Sequence, residues 1–126
     1  SITADDFFTA MFETALEEGE LLTKIKFPKP ESAAYVKFPN PASRYATVGV
    51  FIARTGLGVR VAITGAAPSV FRSTDMEDAL NGEFSVEALE GITLDADEMN
   101  SDLHATAEYR AHLCTVMAKR AVRKLL

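Results

Sequence analysis

The sequence predicts an α+β domain: a mostly antiparallel sheet of three to four strands with helices packed on one face. Three observations carry that expectation. The β-rich runs follow one another along the chain instead of alternating with helices, which is the order of an α+β fold and not of a parallel βαβ one. The clearest helical pattern is one long helix at the end of the chain. Finally, 126 residues, 48% of them hydrophobic, have the length and apolar content of a single domain, residues 1–126, around one continuous core.

Taken in order, Thr3-Ala4-Asp5-Asp6 sets a cap-type hydroxyl and two acids ahead of Phe7, Phe8, Met11 and Phe12, whose spacing predicts a short amphipathic helix. Gly19 ends it. From Glu20 to Phe27 the alternation puts Leu21, Ile25 and Phe27 on one side and Lys24 and Lys26 on the other, the pattern of a half-buried strand that Pro28 and Pro30 must end or edge. Extended structure resumes over Ala34–Phe38. Pro39-Asn40-Pro41-Ala42-Ser43-Arg44 is loop chemistry between two extended runs, a place where function often resides. The runs Thr47–Ala53 and Val59–Thr64, joined by Thr55-Gly56-Leu57-Gly58, read as a hairpin whose glycines supply positive φ angles.

Thr74-Asp75-Met76-Glu77 has the spacing of a capping box and opens a helix that Asn81-Gly82 stops; Ser85 starts a second short helix through Leu89. Between Asp75 and Asp102 there is no lysine or arginine, and the eight Asp and Glu residues between them predict a solvated acidic face. The final helix, about Thr106 to Leu125, carries Leu113, Cys114, Met117, Ala121 and Leu125 on one stripe and Glu108, His112, Thr115, Lys119 and Arg123 opposite. Arg110 falls inside the apolar stripe. A guanidinium buried without partners would be costly, so it is expected to pair with a carboxylate or to cap carbonyls under the sheet.

A net charge of -5 argues against nucleic acid and anionic membrane surfaces as partners. No apolar run reaches bilayer length and the first twelve residues do not read as a secretion signal, so a cytoplasmic protein without membrane insertion is expected. Cys114 is the only cysteine, which excludes an intrachain disulfide and a cysteine metal cluster; on the helix stripe it reads as a small buried hydrophobe. His104 and His112 stand outside any zinc motif, Ser43, Ser69 and Ser73 outside any nucleophile elbow, and the glycines are too sparse for a phosphate loop. The expectation is a domain that binds, shapes or docks something, with no catalytic residue and no metal ligand of its own.

Three stretches carry a family resemblance: Asp6-Phe7-Phe8-Thr9-Ala10-Met11-Phe12-Glu13-Thr14-Ala15-Leu16 with Gly19-Glu20-Leu21-Leu22, then Tyr35 to Gly49, then Ala107-Glu108-Tyr109-Arg110-Ala111-His112-Leu113 with Lys119-Arg120-Ala121. In order and spacing they resemble the C-terminal domain of the flavin-carrying medium subunit of molybdenum hydroxylases, the carbon monoxide dehydrogenase and xanthine dehydrogenase type. The resemblance implies an oxidoreductase in three parts. A large molybdopterin subunit oxidises substrate, a small iron-sulfur subunit relays electrons, and FAD in the medium subunit passes them to an acceptor.

It further implies that the pyrophosphate grip belongs to N-terminal FAD-binding domains of the same subunit. This domain would supply side chains to the isoalloxazine ring, at positions resembling Leu21 or Leu22 and Tyr45, with Tyr35 a further candidate. Separated from those neighbours, the domain is expected to be inactive, to hold flavin weakly and to self-associate through surface around Leu21, Leu22 and Tyr45. The reading from a different class is a stand-alone interaction or dimerisation module without cofactor.

Overall fold

The computed structural model describes residues 1–126. Its centre is an antiparallel sheet of β3 (Ser32–Pro39), β4 (Ala46–Thr55), β5 (Gly58–Thr64) and β6 (Phe71–Arg72), in that spatial order. Val48, Val50 and Ile52 of β4 alternate with outward residues, and so do Val59, Val61 and Ile63 of β5; the register sets Val50 beside Ile63 and Ile52 beside Val61. All six are buried on one face. That face is covered by α2 (Thr74–Gly82), through Met76 and Leu80, and by α3 (Ala107–Leu125), through Leu113, Cys114, Met117, Ala121 and Val122. The expected α+β architecture is observed, with α3 lying on β3 and β4 and α2 on β5.

The β4–β5 hairpin forms as its sequence predicts, with one refinement. Gly58 alone supplies the positive φ, at 112°, while Thr55 Oγ1 accepts from the Leu57 N–H at 3.1 Å and donates to the Gly58 carbonyl at 2.8 Å. On the uncovered face Gly49 lies beneath Tyr35: a Cβ added there would stand 2.8 Å from Tyr35 Cζ. At the far end of the hairpin, the Arg54 guanidinium sits 4.6 Å from the Phe84 ring centroid.

Neither of the two expected N-terminal elements forms as its pattern predicts. The helix α1 is only Ala4–Phe7, after which Phe8–Ala10 (β1) and Glu13–Thr14 (β2) make a small hairpin. Thr3 Oγ1 donates to Asp6 at 2.7 Å instead of capping a backbone N–H. A helix presenting Phe7, Phe8, Met11 and Phe12 on one stripe is stable only when that stripe is packed, and within this chain nothing packs it. Residues 20–31 are likewise not a strand: the segment joins neither edge of the sheet, and Leu21, Ile25 and Phe27 are exposed.

The proposed capping box is a third departure. Ser73 is the N-cap and its side chain makes no capping bond. Glu77 turns inward instead, accepting from the Val61 N–H at 3.0 Å and from Arg72 Nε at 2.8 Å and Nη2 at 2.5 Å. It is thereby the one buried member of the acidic stretch, whose other seven carboxylates are exposed. The short helix expected after Ser85 is one 3-10 turn, Glu87–Leu89, with Ser85 Oγ accepting from the Ala88 N–H.

Cys114 is fully buried, and burial pushes its thiol up to about 12. A thiol reagent at pH 8 is therefore expected to leave the native protein unmodified and to label it stoichiometrically once it unfolds. Rapid labelling of the native state would show that α3 lifts from the sheet.

Candidate functional site

The loop of residues 40–45 is held by its own hydrogen bonds. Asn40 Oδ1 accepts from the N–H groups of Ala42 at 2.9 Å and Ser43 at 3.1 Å, an Asx turn made possible by Pro41. Arg44, at φ 65°, donates its N–H to the Asn40 carbonyl at 2.9 Å, and the Asn40 N–H donates to the Tyr45 carbonyl at 2.7 Å. Ser43 Oγ accepts from the Tyr45 N–H at 3.3 Å, and Lys37 Nζ donates to the Arg44 carbonyl at 2.9 Å. The backbone on both sides of Tyr45 is fixed while its side chain is 80% exposed.

Tyr45 borders a cavity of about 230 Å³ at this end of the sheet. Asn40 and Ser43 wall it from the loop, and Asn100, Asp102 and His104 from the segment ahead of α3. Arg110 closes it from the helix. Its Nη1 donates to the Thr47 carbonyl at 2.7 Å and to the Gly65 carbonyl at 3.0 Å, and its Nη2 to Asp102 Oδ2 at 2.8 Å; Nε has no protein partner. Both carbonyls lie past Gly49–Thr64, the last β4–β5 pair, so the ladder cannot satisfy them and the guanidinium does. The pairing and capping role expected for Arg110 is what the structure shows.

Asp102 Oδ1 accepts from the N–H groups of His104 at 2.8 Å and Ala105 at 3.0 Å. Those bonds, that of His104 foremost, together with Arg110, hold the Asp102 carboxyl below the usual carboxylate range against the opposing effect of desolvation. The one buried cation of the cavity is thus already neutralised. No group of three or more His, Cys, Asp and Glu side chains is gathered as a metal site. The walls offer amide and hydroxyl donors and acceptors beside an aromatic face, which suits binding.

The candidate residues are not all brought together. Of the four, only Tyr45 borders the cavity. Leu21 and Leu22 lie in the irregular segment, 84% and 52% exposed, and Tyr35 stands on the uncovered sheet face over Gly49. Asn40, Asn100, Asp102 and His104 carried no individual signal in the sequence. Turn chemistry marks the first of the two segments as a loop, but its meeting with residues 100–104 is a tertiary fact.

The profile of the CO dehydrogenase flavoprotein C-terminal domain matches residues 33–125. The chain belongs to that family. It is 31% identical to the nicotine 6-hydroxylase medium subunit of Paenarthrobacter nicotinovorans and 28% identical to the carbon monoxide dehydrogenase medium chain of Hydrogenophaga pseudoflava; each alignment covers 97% of this chain and 47% of the relative. A structure of reconstituted CO dehydrogenase from Oligotropha carboxidovorans superposes with a TM-score of 0.80 at 29% identity, over 97% of this chain and 47% of that one. This chain therefore spans about half the length of the relatives it matches. Family membership agrees with the α+β fold and with the resemblance in the sequence.

The residues present fit part of a flavin. A fixed, open tyrosine ring beside amide and hydroxyl groups suits a planar heteroaromatic with a polar edge, and Leu21 and Leu22 are free to meet an apolar face. Nothing in the chain offers the glycine-rich cradle of backbone N–H groups that a pyrophosphate needs. No helix is long and apolar enough to cross a membrane.

Proposed function

We propose that residues 1–126 are one domain that completes the flavin site in the medium subunit of a cytoplasmic molybdenum hydroxylase. The observation that carries this reading is Tyr45, an exposed ring on a loop whose backbone is fixed on both sides, in a chain of this family. When bound, FAD supplies a two-electron store between one-electron carriers and an external acceptor.

Tyr45 would cover one face of the isoalloxazine ring. Leu21 and Leu22 would exclude water from its apolar edge, and the fixed loop would keep the tyrosine from collapsing when the site is empty. Tyr35 is the weakest of the four candidates, its ring being engaged over Gly49 and not bordering the cavity. The N-terminal FAD-binding domains of the same subunit would hold the pyrophosphate. A small iron-sulfur subunit and a large molybdopterin subunit would deliver the electrons, so this chain alone should hold FAD weakly and have no turnover.

In the complete subunit, Tyr45→Ala is expected to weaken FAD retention by roughly 1 kcal/mol, the scale of one aromatic pairing. Because the side chain is so open, its melting temperature should barely move. FAD titration and thermal unfolding of the same variant check both. Unchanged affinity and unchanged flavin potential would remove Tyr45 from the site.

A further inference from the structure

At the tip of the β1–β2 hairpin two unfavourable features coincide in one residue. Phe12 holds φ at 59°, a region that a non-glycine side chain occupies only under strain, and that side chain is 100% exposed. Arg44 shares the positive φ, but there the bonds of the 40–45 loop compensate. Phe12 has no such return within this chain. Glycine or asparagine would make the turn with less strain and without displaying a phenyl ring to water.

The surroundings of Phe12 extend the same surface. Phe8, Met11 and Leu16 are exposed on or beside the hairpin, and Ile25 and Phe27 farther along the arm formed by residues 1–31. The arm's hydrogen-bonded ties to the sheet are Asp5 with Arg72 at 3.1 Å and the Glu31 N–H with the Arg54 carbonyl at 2.8 Å. Most of its apolar area has no partner in the domain that it adjoins.

The comparisons indicate what covers it. The family profile starts at residue 33, where the arm has ended, yet the alignments with the medium subunits take in 97% of this chain and so include most of the arm. Those relatives carry about as much chain again outside the matched part. The relatives thus share most of the arm as well as the matched part, and carry beside them the half against which the arm can pack.

We propose that Phe12 anchors the seam between this domain and the flavin-gripping half of the same subunit, the hairpin tip seating its ring in an apolar pocket there and laying the arm's exposed side chains over that half. This rests on the reading of the chain as part of a flavoprotein medium subunit. The strained turn then has a function, since it aims one large apolar side chain away from the sheet domain.

The test compares tryptic cleavage after Lys24 and Lys26, both exposed in the arm, in the full-length subunit and in the 126-residue chain. In the full-length wild type, cleavage is expected to be slower by about tenfold or more, as expected for an open form made rare by burying one phenylalanine. Phe12→Asn, which tolerates the positive φ, should abolish that protection in the full-length subunit while leaving the cleavage rate and melting temperature of the 126-residue chain unchanged or improved. Wild-type cleavage as fast in both, a variant as protected as wild type, or protection that fades on dilution and so comes from a second copy would each overturn the seam. The flavin absorbance of the same full-length sample tests the functional reading separately: a flavin-free wild type would sink that reading, whereas the Phe12 dependence reports only on the seam.

Discussion

Replacing Arg110 with methionine is expected to destabilise the domain by about 3–5 kcal/mol, as for removal of one partner from a buried ionic network. The residue is 5% exposed and satisfies two carbonyls, those of buried Thr47 and half-buried Gly65, that the β4–β5 ladder does not serve. Each buried acceptor left without a donor costs about 1–3 kcal/mol. Asp102, half exposed and still bonded to the N–H groups of His104 and Ala105, is rehydrated and adds little. Methionine approximates the length of the side chain, so the loss reports the hydrogen bonds more than a void. Arg110→Lys should recover only part of it, since an ammonium lacks the planar fork that meets Thr47, Gly65 and Asp102 together. Denaturant unfolding of the two variants checks this; a methionine variant within 1 kcal/mol of wild type, on the scale of an ordinary surface change, would mean that water serves those carbonyls.

Glu77→Leu is expected to cost about 3 kcal/mol, because it strips the Val61 N–H of its buried acceptor and Arg72 of its strongest partner. The same carboxylate sets a pH dependence. Burial acts to raise its pKa, but the hydrogen bonds from Arg72 and the Val61 N–H, with the charges of Arg72 and Arg60, outweigh it and hold the group below its ordinary value of 4.5. A carboxyl depressed on folding stabilises the native state above the unfolded pKa and loses that contribution as pH falls through the folded one. Stability should therefore decline below about pH 4.5 in wild type and decline less steeply in Glu77→Gln, which keeps an acceptor for Val61 and carries no titrating proton. Urea midpoints between pH 3 and 7 would show it, and parallel curves for the two proteins would exclude Glu77 as the acid-sensitive group.

What could be read in the sequence was whatever the chain satisfies locally. The β-rich runs on either side of a glycine turn identified β4 and β5 as a hairpin, and the apolar stripe of α3 identified the helix. Arg110 was legible for a related reason: a guanidinium on an apolar stripe requires acceptors, and the loops at the sheet end supplied them. Phe7, Phe8, Met11 and Phe12 keep helical spacing, and Leu21, Ile25 and Phe27 keep strand spacing, yet neither segment adopts the conformation its pattern suggests. A periodic apolar pattern says that a face is to be buried, not that the burial lies in the same chain. Glu77 shows a second limit, because the spacing of a capping box is shared by any glutamate on a first turn that points inward, here to an arginine on the strand just before the helix. The cavity walls at residues 40–45 and 100–104 are joined only by folding, so turn residues announced the first loop without announcing its meeting with the second.

The strand order β3-β4-β5-β6 has a kinetic consequence. Every ladder in the sheet joins neighbours in sequence, so the transition state for folding can assemble from short loop closures. The Arg110 bonds join residues 63 and 45 positions apart and are expected to form after that barrier. An interaction absent from the transition state leaves the folding rate nearly unchanged and acts on the unfolding rate. Arg110→Met should thus refold about as quickly as wild type and unfold far sooner, which makes this arginine a determinant of the native state's lifetime.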